Sequence, residues 1–196
     1  MMSKGEATRQ RIVEAAAPLF NQRGFAGCSM QDVLDATGLE KGGLYRHFGS
    51  KEELAAESFT YALSCAVKIR TDGLEDVVGA VDKLRFLIDR FVSTPSPIPG
   101  GCPLLNTAID ADDGNPTMRA LAHEGIRNWK ARLAAIAEEG RRTGEIRNDV
   151  NPQQVANSIV AMLEGSLMIS RIEGNRDALK DAGETLHQLI DGFAVR

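Results

Sequence analysis

The chain has 196 residues, of which 43% are hydrophobic and 26% charged, proportions typical of a globular protein with one large or two small domains. Its three cysteines form no C-x-x-C pair, which argues against both a disulfide framework and a zinc site. Because no run of about 18 apolar residues and no apolar N-terminal segment occurs, we expect a cytoplasmic protein without a membrane span or a signal peptide.

Charge is distributed unevenly along the chain. The overall net charge is −4, which taken alone disfavours nucleic-acid binding. Residues 1 to 51 nevertheless carry seven basic and five acidic side chains, or 7 − 5 = +2, and the remainder carries 16 − 22 = −6. A basic N-terminal segment on an acidic body would orient that segment toward DNA.

The first predicted helix runs from Thr8 to Arg23. One face of it is apolar at helical spacing and consists of Ile12, Val13, Ala16, Leu19 and Phe20. Gly24 is expected to end the helix. Pro18 lacks an N–H group, so we expect a bend inside the helix at that point.

Residues 29 to 51, SMQDVLDATGLEKGGLYRHFGSK, predict two short helices joined by a glycine turn. Ser29 is a good N-cap for the first of them, and Gly38 can adopt the positive φ that ends it. The second helix should begin near Glu40 or Lys41. Its apolar residues Leu44 and Phe48 are four positions apart and should point inward. This arrangement is the sequence form of a helix-turn-helix.

The side chains left on the outside of the second helix suit DNA. Cations and hydroxyls reach phosphates, Arg or Lys pairs with guanine edges, and glycines allow a close approach to the groove. The outward residues are Lys41, Gly42, Gly43, Tyr45, Arg46 and His47. Nothing among them suits catalysis.

From Thr8 to about Phe59 the chain resembles the DNA-binding domain of the TetR-like bacterial transcriptional repressors. The resemblance rests on LFNQRGF, on a Ser before the second helix, and on the pattern G-L-x-K-G-x-L-Y-x-H-F-x-S-K-E-x-L. It implies an all-α protein, in which a three-helix DNA-binding domain is joined by a connecting helix to a helical ligand-binding and dimerisation domain. It also implies a homodimer on a palindromic double-stranded operator.

By the same resemblance, phosphate contacts fall on Ser29, Tyr45 and Lys51. Residues at or in the major groove would be Lys41, Gly42, Gly43, Arg46 and His47. Gly43 stands where the family often has a larger residue that could contact a base. Glu40 places a carboxylate beside the DNA, where it would be a helix cap, a cytosine reader or a repulsive filter.

Beyond the helix-turn-helix we predict domain boundaries at residues 1–51 and 52–196, with a connecting helix over about 51–70. A helix is expected over 74–92, followed by the linker STPSPIPGG. Pro103, Pro116 and Pro152 each fit the first position of a helix. Apolar residues cover most of the helix over 155–172, so we expect it, with the helix over 178–193, to form a dimer interface.

The resemblance further implies a small-molecule effector in the C-terminal domain. Candidate residues there are Cys102, Trp129, Met118, Met162 and Met168. Cys102 lies at a predicted helix start, where the macrodipole would favour a reactive thiolate, so an electrophile or oxidant sensor is an alternative to reversible ligand binding. If its thiol is unreactive, Cys102 is a packed, inert cysteine. For the whole chain, a helical ligand-binding protein without DNA readout stays open at this point.

An enzyme is not expected. The sequence has no G-x-S-x-G elbow, no phosphate-binding loop, no dinucleotide fingerprint and no metal-spaced cluster. We therefore predict no catalytic residues, no cofactor and no metal.

Overall fold

The structure, a computed structural model, describes residues 3–111 and 114–195. Within those ranges it contains nine α-helices, one 3-10 turn and a single antiparallel bridge between Ile146 and Ala194. The predicted all-α class is therefore confirmed. The helices are α1 (Lys4–Gly27), α2 (Met30–Thr37), α3 (Lys41–Tyr45), α4 (Lys51–Thr71), α5 (Ala80–Ser93), α6 (Pro103–Asp110), α7 (Pro116–Thr143), α8 (Pro152–Glu173) and α9 (Asp177–Phe193).

Local signals set most helix starts. Ser3 and Glu6 form a capping box at the start of α1, four residues before the predicted start. The three prolines predicted at first helical positions occupy them in α6, α7 and α8. Asn151 caps α8, because its side-chain oxygen accepts hydrogen bonds from the backbone N–H groups of Gln153 and Gln154.

One prediction about helix continuity was wrong. In α1 the backbone leaves helical angles at Gly24 (φ 73°, ψ 175°), where the first helix was expected to end, and the bend expected at Pro18 stays a prediction. The helix predicted over 74–92 is divided into a 3-10 turn at Leu74–Asp76 and α5, with Gly79 at φ 88° between them. Both breaks lie at glycines, because glycine adopts positive φ without steric cost.

The chain divides into two compact units. Unit 1 comprises the residues up to Val67 together with Ser96–Gly125, and unit 2 comprises Lys68–Pro95 and the residues from Ile126 onward. The segment with α6 therefore belongs to the unit that contains the helix-turn-helix, where it packs against α1. This division concerns packing alone, and the functional boundary proposed at residues 51 and 52 stays a prediction.

Unit 2 has a continuous apolar core built from α5, α7, α8 and α9. Leu84, Leu133 and Leu186 are fully buried within it. Helix α8 is long enough, and with a mean hydropathy of 1.3 apolar enough, to cross a membrane by composition alone. Its buried face, which includes Ile159 and Leu163, belongs to this core, so packing within unit 2 accounts for part of its apolar character.

Candidate nucleic-acid interface

A reciprocal cap holds the start of α2. The Ser29 hydroxyl accepts a hydrogen bond from the Asp32 backbone N–H at 3.1 Å, and the Asp32 carboxylate accepts one from the Ser29 backbone N–H at 2.7 Å. Asp32 also pairs with Arg23, whose Nη1 lies 2.6 Å from Oδ1. The hydrogen bonds from Ser29, and then the one from Arg23, lower the pKa of the Asp32 carboxyl to about 2.

The turn between α2 and α3 follows the predicted geometry. Gly38 is left-handed at φ 67° and ψ 17°, and its N–H donates to the Leu34 carbonyl at 2.9 Å. Leu44 and Phe48 are fully buried. Because these two residues fix the inner face of α3, its remaining side chains are turned outward, and the predicted helix-turn-helix is confirmed.

The outward face of α3 carries accessible cations. Lys41, Arg46 and Tyr45 are exposed, and His47 is half-buried. In the described part of the chain Lys41 and Arg46 take part in no salt bridge, so both are available to phosphates or bases. The Lys41 ammonium lies 5.9 Å from the centre of the Tyr45 ring, which places a cation and a phenol side by side.

The two glycines of α3 have open surroundings. A Cβ added at Gly42 would meet nothing within 4 Å, and one at Gly43 would meet only Leu39 at an ordinary 3.9 Å. Packing within the protein therefore does not require glycine at either position. Glu40 occupies the N-cap position of α3, but its side chain makes no capping hydrogen bond, so the helix-cap interpretation of this residue was wrong.

Lys51 and Ser29 already have neighbours within unit 1. The Lys51 ammonium lies 4.4 Å from the centre of the Phe25 ring. The Ser29 hydroxyl donates to Asp32 as well as accepting from its backbone. Phosphate contacts by these two residues stay predictions.

Unit 1 contains a polar joint that sequence patterns did not indicate. The Asn21 side-chain amide, 8% exposed, donates to the carbonyl oxygens of Pro99 at 2.8 Å and Gly101 at 3.2 Å. The Asn106 amide in α6 lies 2.8 Å from the Gly100 carbonyl and 3.0 Å from both the backbone and the side-chain oxygen of Asn21. These bonds tie α6 and the loop before it to α1.

A second contact ties α6 to the end of α1. Asp110 Oδ2 accepts the backbone N–H of Phe25 at 2.7 Å. A Cβ at Gly24 would lie 2.6 Å from Asp110 Oδ1, so the carboxylate can occupy this place only because residue 24 has no side chain. The contact lies four residues before the cap of α2.

The candidate effector residues are divided between the two units. Cys102 is 2% exposed at the N-cap of α6, where its thiol makes no capping hydrogen bond, and Met118 is also buried in unit 1. In unit 2, Trp129 stacks on Phe91 with ring centres 5.5 Å apart, and Met162 packs against the core. Met168 is 44% exposed on α8.

Unit 2 also contains a cleft of about 700 Å³. Apolar surface and charges of both signs line it: Leu74, Ala135 and Ile136 are apolar, Lys83 and Arg132 are positive, and Glu75, Glu139 and Glu145 are negative. Clefts of roughly 300–1,000 Å³ with apolar walls and a few polar groups are typical of small-molecule sites.

Known proteins share both halves of this architecture. Residues 12–57 match the profile described as "Bacterial regulatory proteins, tetR family", and residues 80–186 match "Tetracyclin repressor-like, C-terminal domain". A solved TetR transcriptional regulator from Chloroflexus aurantiacus is 40% identical over 98% of each chain, with a TM-score of 0.94. A TetR-family regulator from Cytophaga hutchinsonii is 35% identical, covers 100% of this chain and 99% of its own, and has a TM-score of 0.93.

Among curated relatives, the transcriptional repressor DhaR of Mycobacterium sp. (strain GP1) is 28% identical over 172 residues, 87% of this chain and 86% of the relative. The DNA-binding profile and the exposed reading face of α3 together set aside a helical ligand-binding protein without DNA readout. The chain belongs to the TetR family of helix-turn-helix transcriptional regulators and is not an enzyme.

Proposed function

We propose that the protein is a homodimeric repressor that binds a palindromic operator and releases it when a small molecule binds unit 2. The main support for a dimer is the apolar surface that α8 and α9 expose. Its most exposed members are Met168 at 44%, Ile169 at 42%, Ile172 at 79% and Leu189 at 41%. Several large exposed apolar side chains on two helices that pack together are typical of a subunit interface.

The dimer is tested by placing a charge on this surface. Ile169→Glu is expected to yield monomers in light scattering and to weaken operator binding, because a buried unpaired carboxylate opposes association. Leu167 is a poorer choice, since it packs against the core of unit 2 and its replacement would also disturb the fold. Val78→Glu is the matched control, because Val78 is 87% exposed outside α8 and α9. A dimeric Ile169→Glu protein would place the interface elsewhere.

A palindromic operator is expected because the proposed dimer has two-fold symmetry. Two identical reading helices select half-sites about one helical turn, or a multiple of a turn, apart. Selection of duplexes from a random library should therefore recover inverted repeats. Lys41→Ala and Tyr45→Phe should weaken binding of the selected duplex, and binding should fall steeply with salt. Unchanged binding by both variants at every salt concentration would mean that α3 does not read DNA.

The cleft supports the choice of unit 2 for the effector. Its walls combine apolar surface with charges of both signs, Lys83 and Arg132 beside Glu75, Glu139 and Glu145, which suits an amphipathic small molecule. Mass spectrometry of the native protein purified from its host should detect such a molecule. Ala135→Trp fills the cleft from an exposed position and should preserve operator binding while abolishing release by that molecule. Retention of release would assign the effector to another site.

Reversible binding is favoured over a covalent thiol switch because Cys28 and Cys102 are buried. Cys102 is 2% exposed, and burial raises the pKa of the fully buried Cys28 thiol, which lowers its thiolate fraction. A thiol reagent should therefore affect the parent and Cys102→Ser alike. If the reagent releases DNA from the parent but not from Cys102→Ser, with Cys28→Ser responding like the parent, the protein is a thiol sensor.

A further inference from the structure

The reading helix α3 is weak by itself. It contains five residues, and two of them are glycines, which favour a helix less than any residue except proline. Glu40 at its N-cap makes no side-chain capping hydrogen bond. The conformation and direction of α3 therefore depend on its buried Leu44 and on contacts of its neighbours, particularly those of residues 47–49, which follow it.

One guanidinium contacts the first two of those residues. Arg9 in α1 donates through Nη1 to the backbone carbonyl of His47. Its guanidinium carbon also lies 4.0 Å from the centre of the Phe48 ring, which is fully buried. A cation over an aromatic face is attractive, and a guanidinium can stack on a ring while its edge donates hydrogen bonds.

Two carboxylates of α4 hold the same guanidinium. Arg9 donates to both oxygens of Glu57, through Nε at 3.1 Å and through Nη2, and Nη2 lies 2.7 Å from Glu53 Oε1. The other oxygen of Glu53 accepts the backbone N–H of Gly49 at 2.8 Å. Arg9 and Glu53 thus contact every residue of the segment 47–49 and join it to α1 and α4.

We propose that Arg9 is a positioning residue for DNA binding, which holds α3 in its reading orientation through His47 and Phe48. All three of its nitrogens donate within unit 1, so we assign its contribution to these internal bonds and not to contact with a phosphate. Lysine cannot replace it, because a single ammonium cannot pair with Glu57 in the bidentate manner and also reach the His47 carbonyl.

The test compares Arg9 with Arg11, an exposed arginine on the same helix that forms no salt bridge within the described residues. Arg9→Lys and Arg11→Lys keep the charge, and Arg9→Gln and Arg11→Gln remove it. Each purified full-length protein is titrated, over a series of salt concentrations, with a duplex selected from a random library by the parent and with a scrambled duplex of the same composition.

Arg9→Lys is expected to weaken binding of the selected duplex about tenfold. This value assumes that α3 of the variant adopts the reading orientation in about a tenth of the molecules, since apparent affinity falls by that fraction. Binding of the scrambled duplex, which depends on charge, should equal that of Arg11→Lys. Thermal unfolding supplies a second readout. A purely structural role would lower the melting temperature while leaving the ratio between the two duplexes unchanged, and that result would overturn the proposal.

Two further measurements can contradict the proposed role of Arg9. If Arg9→Gln lowers the salt dependence by about one unit on both duplexes, as lost phosphate contacts do, and Arg9→Lys restores it, then Arg9 touches DNA and the proposal is wrong. The double variant Arg9→Lys with Glu53→Gln should lose less affinity for the selected duplex than the product of the two single losses, because both act on residues 47–49. Independent, multiplicative losses would also contradict it.

Discussion

The contacts that stabilise the helix-turn-helix within unit 1 differ from those that stabilise the helices within unit 2. In unit 2 the helices share a continuous apolar core in which Leu133 and Leu186 are fully buried. In unit 1 the helix-turn-helix also buries apolar residues, among them Leu44 and Phe48, and directional bonds are added by Arg9 to the segment after α3 and by Asn106 and Asp110 to α1. Apolar burial supplies stability without fixing direction, whereas a hydrogen bond is lost when its partners rotate. The orientation of the DNA-reading element therefore depends on these few bonds as well as on its buried face.

The largest effect is expected in the core of unit 2. Leu186→Ala should lower the free energy of unfolding by about 2–5 kcal/mol, because it removes buried methyl groups and leaves a cavity. Val78→Ala, at an 87% exposed position, should change it little. Urea denaturation monitored by circular dichroism measures both. Similar values for the two variants would contradict the distinction between an apolar core and its surface.

The next effect concerns the polar joint. Asn106→Ala should cost about 1–3 kcal/mol of unfolding free energy, since it leaves the buried oxygens around Asn21 without their donor. It should also weaken DNA binding, because α1 loses a tie to α6. Asn128→Ala, at an exposed position in α7, is the control in both assays. Loss of stability with undiminished operator affinity would show that the joint does not influence the reading helix.

Sequence patterns predicted the helix-turn-helix to the residue. Ser29, Gly38, Leu44 and Phe48 each have the role expected of them, because caps, turns and helical periodicity are encoded within a few neighbouring positions. The prolines that begin α6, α7 and α8 were predictable for the same reason. The break at Gly79 was missed, because its stabilising partner is distant in sequence: Glu145 caps α5 by accepting the Ala80 N–H at 2.7 Å.

The polar ties of the site were not predictable, because their partners lie far apart in the chain. Arg9 lies within the predicted first helix, but its partners His47 and Glu57 are 38 and 48 residues away. Asn21 and Asn106 are separated by 85 residues. Periodicity describes the face on which a residue lies, but it does not identify what that face meets.

A smaller effect is expected from replacing Gly42, which should change stability and DNA affinity in opposite directions. Gly42→Ala should raise the free energy of unfolding by about 0.5–1 kcal/mol, because alanine favours a helix and its Cβ meets nothing within 4 Å. The same change should weaken DNA binding if glycine permits close approach to the groove. Gly100→Ala is the opposite case, since at φ 108° its Cβ would lie 2.8 Å from Asn21 and should destabilise the protein. Tighter DNA binding by Gly42→Ala would refute the close-approach argument.

The smallest effect is a pH dependence at the start of α2. The pKa of Asp32 is about 2 in the folded protein against an ordinary value of 3.8, so its ionised form stabilises the fold above about pH 4. This contribution is lost as the pH falls from 3.8 toward 2. The difference in unfolding free energy between the parent and Asp32→Asn should therefore be constant near neutrality and shrink through that window. A pH-independent difference would argue against the depressed pKa.

The discontinuity of unit 1 has a consequence for biosynthesis. Asn21 and the Phe25 backbone N–H leave the ribosome early, but their partners lie between Pro99 and Asp110. At about 5–20 residues per second, the stretch from Val67 to Gly125 takes several seconds to translate, and during that time these groups are hydrated or misplaced. The DNA-reading element is encoded in the first 51 residues, yet its final anchorage is completed only after more than half of the protein has been made.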